Sequence, residues 1–503
     1  MTGPEQPGTG SVAERITALR DHLEEHPGIQ EIPVLGELAT LLFGTRQFEE
    51  AAKFFSQAAS LSPRSPELLN NLAACYLEMG KYHEVIETAG KALKIDPALG
   101  AALANRADAH RKLGQLRRAA DDYQQAVNLE PRSPLLLNKA GANLQLLGRF
   151  QEARQHFEAA LAASPRFSRA RLNLGLLGLQ TDNDEAARRN IQEAVVDRRL
   201  DPHSREIGNT ALAILKNHDR LAPHLETALN ARDLAPLGEA LTQTTETLLF
   251  PDRDAISLLE EIAASCKNLE WNEKQLRYAG DTQHLPFLEA AAHCQLDPHA
   301  ETLKIVLNSL GEGRQLPAHA VQHNLPAMLD ACRERAELDM EASFPDQGEA
   351  WLSYWHARLM GHDQSAFPGL YKPVPGAQGN GGADRATAPG NVAGTMRQIL
   401  QRLARNVPAG VPRAVFLLTA IMRVQPFRDG NERLARFIGS WQLQGNGLHP
   451  IIVTSQAQQI LTQGLSRVRN EKSAQPVLDS LVSAYRNAQQ LLNEFNRIST
   501  SAL

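Results

Sequence analysis

The chain has 503 residues, room for two to four domains with sizeable cores, which excludes a single small domain. Its 52 Lys and Arg stand against 57 Asp and Glu, a net charge of −5, so no global positive field exists to hold a nucleic acid. No run approaches the roughly 18 apolar residues of a membrane span, and the N-terminus MTGPEQPGTGS has neither the basic nor the apolar region of a cleaved export signal. Hydrophobic residues reach 43% while aromatics are only 5%, and the Ala- and Leu-rich balance favours helix. An all-α protein without membrane contact is expected. Cys75, Cys266, Cys294 and Cys332 are widely spaced with no C-x-x-C pair, so they read as free thiols of a reducing compartment, in a cytoplasmic protein or one delivered into another cell as an effector.

Residues 1–29 read as a flexible start and lead-in helix. Beyond them a period emerges. Pro63, Pro97, Pro131 and Pro165 are spaced 34 apart, as are Gly80, Gly114 and Gly148, and Ala58, Ala92, Ala126, Ala160 and Ala194. The larger series Phe55, Ala89, Tyr123, Phe157 and Ile191 keeps the same step. Small residues suit close helix crossings, Gly ends a helix in the left-handed conformation, and Pro suits the start of a unit. This pattern resembles the tetratricopeptide repeat family, helix-turn-helix units of ~34 residues. Four units are expected from about residue 30, with a stretched fifth ending near Asp201-Pro202. The resemblance implies a superhelical solenoid over 30–202 with a groove for a target protein or peptide. Asn70, Asn71, Asn105, Asn138 and Asn173 sit at similar places on the first helices. They suit either a bound peptide backbone or hydrogen bonds between repeats.

Residues 203–344 show helical patches without a period and read as a capping or connector region. The character changes after Gly348. Pro412 to Val424 is apolar nearly all round, as a helix at the centre of a bundle would be. Gln425-Pro426 stops it. The turn Phe427-Arg428-Asp429-Gly430-Asn431 then leads into a second helix, ERLARFIGSWQL, which Asn431 is placed to cap. A helix N-terminus and loop donors converge there, which attracts phosphate. Arg433 and Arg436, at i and i+3, share a helix face and are spaced to grip phosphate oxygens, and Asp429 is a hard oxygen ligand suited to Mg²⁺.

The stretch Gln425-Pro426-Phe427-Arg428-Asp429-Gly430-Asn431-Glu432-Arg433-Leu434-Ala435-Arg436 resembles the Fic (Fido-fold) signature H-P-F-x-[DE]-G-N-G-R-x-x-R. The likeness reaches upstream to Pro368-Gly369-Leu370-Tyr371-Lys372 and Met396, over about residues 345–503. It implies transfer of a nucleotide monophosphate, commonly AMP from ATP, to a hydroxyl of a target protein. By that resemblance Asp429 holds Mg²⁺, Gly430 and Asn431 cradle the α-phosphate, Arg433 and Arg436 meet and brace the outer phosphates, and Phe427 packs in the core.

Three departures matter. Gln425 stands where the signature has its base, and an amide does not take up a proton near neutrality. Glu432 stands where the signature has Gly, and a carboxylate there repels a triphosphate or serves as a substitute base. Residues 373–390, where the family has a β-hairpin flap, are rich in Gly, Ala and Pro and read as a loop. For the family's S/T-x-x-x-E-G/N inhibitory helix the nearest approach is Thr242 with Glu246. The expectation is therefore a Fic-fold protein that binds ATP or another phosphorylated donor and modifies a partner recruited by the repeats, with Gln425 and Glu432 at the reacting centre. The alternative is a catalytically inactive adaptor or nucleotide sensor.

Overall fold

A computed structural model describes residues 11–25, 31–181, 185–296, 298–322, 324–361, 367–373 and 386–500. Among the described residues every regular element is helical. The chain divides into two compact units, one of residues 1–177 and 189–201, the other of residues 178–188 and 202–503.

The first unit is built of helix pairs. The lead-in helix is Val12–Glu25, and residues 1–10 of the expected flexible start lie outside the described residues. Ile32–Gly44 then packs on Phe48–Leu61, Pro66–Glu78 on Tyr82–Ile95, Gly100–Lys112 on Leu116–Leu129, and Pro134–Leu146 on Phe150–Ala163. The repeated small residues are the buried crossing points: Ala58, Ala92, Ala126, Ala160 and Ala194 are fully excluded from solvent. Gly80, Gly114 and Gly148 take φ of 73°, 74° and 75° just past the first helix of their pairs. There the N–H of Lys81 returns to the carbonyl of Tyr76 at 2.9 Å, closing the helix end as a left-handed residue allows. Pro63 lies in the turn between helices and not at a helix start, a place taken instead by Pro66 and Pro134. The asparagines join neighbouring repeats, with Asn105 Nδ2 donating to Asn70 Oδ1 at 2.9 Å and Asn173 Nδ2 to Asn138 Oδ1 at 2.8 Å. Asp108 adds a second tie, accepting from Tyr123 Oη at 2.5 Å and from Lys139 Nζ at 2.6 Å.

The second unit has one continuous apolar core running from Leu221 to Phe495. The stretch read as a connector thus shares its core with the C-terminal helices, through residues such as Leu259, Leu288 and Leu325. The helix Val411–Val424 lies at its centre, with Phe416, Leu417, Ala420 and Ile421 fully buried on all sides. It packs against the next helix in sequence, Asn431–Gln444, and the helix Met340–Met360, kinked at Gln347, adds Trp351 and Trp355 against Trp441. Arg335 and Glu289, both almost wholly buried, form a two-pronged ion pair at 2.8 and 2.6 Å. The guanidinium also lies 4.3 Å over the Phe437 ring and donates to the Phe437 carbonyl and to Gln444. Burial opposes the charge on Glu289, yet Arg335 and His293 beside it hold the carboxyl down to about 2. All four cysteines are buried thiols outside any disulfide.

Candidate functional site

The turn between the two central helices begins where Gln425 takes a left-handed conformation, φ 47°, and ends the first helix with its N–H on the Ile421 carbonyl. Pro426 and Phe427 then turn inward. Phe427 is 1% exposed and stacks on the ring of His356. Asn431 does not cap the second helix. Gly430 is the cap residue and has no side chain to accept a first-turn N–H. Asn431 instead clasps the main chain of Phe427, accepting its N–H at 2.9 Å and donating to its carbonyl at 2.8 Å. Its amide is spent on the turn's shape, while the first-turn N–H groups of the helix have no acceptor within it.

Asp429 is exposed and its Oδ1 takes the N–H of Gly430 at 2.7 Å. Gly430 takes φ 72°, a conformation that strains any other residue, and an added Cβ would lie 2.6 Å from the Met360 sulfur, so that side chain would have to shift. The two arginines have different partners. Arg433 Nη1 donates to the Leu359 carbonyl at 3.2 Å and meets Met360 Sδ at 3.5 Å, covering the C-terminal end of Met340–Met360. Arg436 is 5% exposed, with Nη1 3.5 Å from the Val453 carbonyl and Nε making no hydrogen bond among the described residues. Burial lowers the pKa of both guanidiniums, and Arg433 adds to the effect on Arg436. Glu432 is 3.8 Å from Arg436 Nε and accepts a short hydrogen bond from Gln458.

Two cavities meet at Gln458. One, of about 210 Å³, is lined by Gln425, Glu432, Arg423, Arg469, Thr462 and Ser466 together with apolar side chains. The other, of about 280 Å³, lies beside Arg436 and Thr454. Gln425 and Glu432 thus share the first cavity, Arg436 belongs to the second, and Phe427 lines neither.

Family comparison agrees with both halves. A Fic/DOC family model matches residues 346–443, and tetratricopeptide-repeat models match residues 42–98, 100–133 and 144–204. The chain joins tetratricopeptide repeats to a Fic/DOC domain. No curated protein matches it. Solved structures similar to part of it include YrrB, described as a tetratricopeptide-repeat protein with an unusual peptide-binding site, at 23% identity over 36% of this chain and 92% of that one, TM-score 0.30. A thermophilic tetratricopeptide-repeat protein of Thermus thermophilus, TTC0263, is 22% identical over 36% of this chain and 99% of its own, TM-score 0.32. The first repeat domain of Spaghetti, solved with an HSP90 peptide, is 24% identical over 24% and 94% of the two chains, TM-score 0.23.

Within the Fic/DOC domain, His356 was not evident from sequence. Its Nδ1 accepts the Gly369 N–H at 2.8 Å, so Nε2 carries the proton and donates to the Asp429 carbonyl at 2.9 Å. Burial pushes its pKa down to about 4, and the neutral ring fixes the turn. Lys372 was known only as part of the upstream stretch. It is buried, its N–H bonds the Pro426 carbonyl at 3.0 Å and its Nζ lies 3.4 Å from the Val424 carbonyl. Gln458 was also missed, since nothing near it in sequence marks it. Residues 374–385 of the expected flap lie outside the described residues, while Ala386 reaches the Gln425 cavity and Thr387 bonds Asp252. Glu246 of the nearest inhibitory-type pattern is exposed. Among the described residues no group of three or more His, Cys, Asp or Glu is gathered to hold a metal, and no helix is long and apolar enough to cross a membrane.

Proposed function

We propose that the Fic/DOC domain binds a nucleotide or another phosphorylated donor at the turn 425–433 and acts on a hydroxyl of a protein or peptide held by the repeats. The observation that carries this is the N-terminus of Asn431–Gln444, whose cap residue Gly430 has no side chain to close the first turn and which adjoins the cavity of Gln425 through Glu432. Such an end offers backbone donors and a positive dipole to an anion, and Arg423 and Arg469 add positive charge to the same cavity. Mg²⁺ would fit at Asp429, whose exposed carboxylate supplies one hard oxygen ligand, the rest coming from phosphates and water. The metal would offset phosphate charge. Gln425 orients an acceptor hydroxyl by hydrogen bonding and does not remove its proton, so the usual contribution of a general base, about 10²–10⁴ in rate, is missing at this position. Glu432 lines the same cavity, and in this reading it serves as the substitute base.

A second reading, an adaptor that binds a donor without turnover, is favoured by the two contacts Glu432 makes. Gln458 and Arg436 already engage Glu432, which ties up the substitute base. Titration of the full chain with ATP and other nucleotides in Mg²⁺, read as thermal stabilisation, tests the shared part of both readings. Saturating donor at about 100 times its Kd adds about 2.7 kcal/mol, and no shift with any nucleotide ends both. Labelled ATP with candidate partners then divides them. Transfer by the native chain supports the enzyme; transfer only after Gln425→His with Glu432→Gly supports the adaptor.

A further inference from the structure

We propose that the hollow at the kink of the helix Met340–Met360 is a binding site for a small α-amino acid with an apolar side chain. The hollow, of about 240 Å³, lies between that helix, the helix Ala235–Thr242 and the segment 397–401, and none of its lining residues lines the cavity of Gln425 or that of Arg436. Gly238, Leu241, Ala350 and Leu400 give it an apolar wall, and Glu349 and Arg397 set one negative and one positive group into it. Both charged side chains keep some accessible surface, 12% and 21%. The volume is just below the roughly 300 Å³ at which small-molecule pockets begin, so a compact ligand fits.

The protein serves these two charges poorly. Glu349 Oε2 accepts from Arg397 Nε at 3.5 Å and Oε1 from Tyr371 Oη at 3.3 Å, whereas a hydrogen bond between full charges settles at about 2.7–2.9 Å. Arg397 Nη2 donates to the Leu241 carbonyl at 2.9 Å, and its Nη1 has no hydrogen bond among the described residues. Burial holds the Glu349 carboxyl above its ordinary pKa even with Arg397 and Tyr371 beside it, as expected where the partners fall short. A ligand that brings an ammonium to Glu349 and a carboxylate to Arg397 gives both a close partner and adds no net charge to the hollow. An amine or an acid alone serves one group and leaves an added charge unpaired in a partly dry space. In an α-amino acid the two groups sit on one carbon, which matches the closeness of Glu349 and Arg397. Its hydrocarbon side chain then covers Leu241 and Leu400.

Calorimetric titration of the full chain uses L-leucine, isoamylamine and 4-methylpentanoate as probes, the last two being leucine without its carboxylate and without its ammonium. L-leucine is expected to bind saturably and each of the other two at least about tenfold more weakly. A Cβ on Gly238 would meet no atom within 4 Å, so Gly238→Phe sets a ring at the hollow without moving its wall, and inside a helix phenylalanine is favoured over glycine. This variant is expected to abolish L-leucine binding with an undiminished Tm and an unchanged response to ATP with Mg²⁺, which is titrated separately. Glu349→Gln, similar in shape, is expected to weaken L-leucine at least about tenfold and to narrow its advantage over 4-methylpentanoate. Absence of L-leucine binding, binding of either fragment as tight as that of L-leucine, or full L-leucine binding by Gly238→Phe or by Glu349→Gln each overturns the proposal.

Discussion

His356 and Phe427 lie face to face, ring centroids 3.8 Å apart and planes 7° from parallel. The pair pins the inner side of the turn, while the two ring nitrogens hold Gly369 and Asp429. Protonating His356 would remove the acceptor for the Gly369 N–H and place a charge in the core. Its folded pKa is near 4 because of burial, below the 6.5 of a free imidazole, so the unfolded chain binds more protons between those values and stability falls as pH drops through that window. Urea unfolding of His356→Gln, compared with the native chain at pH 7 and pH 4, is expected to show an acid loss smaller by about 2–3 kcal/mol. An equal loss would show that the ring is not what titrates.

Lys372 gives the opposite end of the scale. Burial, aided by Arg423, pulls its pKa from 10.5 to about 8. Between those values the unfolded state holds more protons, so stability rises with pH. Lys372→Met is expected to be more stable than the native chain at pH 7, by about 2–3 kcal/mol, with the difference shrinking toward pH 10. A variant less stable at pH 7 would mean that the Nζ contact to the Val424 carbonyl and the side chain's packing outweigh the cost of the buried charge.

Arg335→Met leaves Glu289 buried with the loss of its main partner and with His293 still beside it. A loss of about 3–5 kcal/mol is expected on denaturant unfolding. Adding Glu289→Gln should recover much of it, because the stranded charge, and not the missing attraction, is the main cost. No recovery in the double variant would assign the loss to packing against Phe437.

Glu432→Gln keeps the side chain's size and removes its charge beside the uncapped helix end. Tighter binding of ATP with Mg²⁺, by about tenfold, is expected in calorimetry, from relief of like-charge repulsion at short range. Unchanged or weaker binding would place the phosphates away from this helix end.

In the repeats, a Cβ on Gly141 would come 2.7 Å from a ring carbon of Phe157. Gly141→Ala is therefore expected to cost about 1–3 kcal/mol through overpacking, read as a lowered Tm. An unaltered Tm would show that Phe157 has room to retreat.

The repeats and the central helix were legible because their signals are local. The Ala58 series marks helix crossings through nearest-neighbour spacing alone, and Val411–Val424 announces its burial by being apolar on every side. The extent of the core that receives that helix was not legible, because Leu259, Leu288 and Leu325 carry no period and their apolar faces have no meaning until the partner helices are in place.

The site divides along the same line. Residue types at positions 425–436 set the available chemistry, an amide and not an imidazole at Gln425, a carboxylate at Glu432, two guanidiniums one turn apart. Only the tertiary structure decided how each is used: Arg433 turned to the Leu359 carbonyl, Asn431 to the Phe427 main chain, and Arg436 into a cavity made by helices far away in the chain. A side chain's capacity to donate, accept or ionise is covalent and travels with the sequence; its partner and its solvent are supplied by segments distant along the chain, and those come into range only on folding.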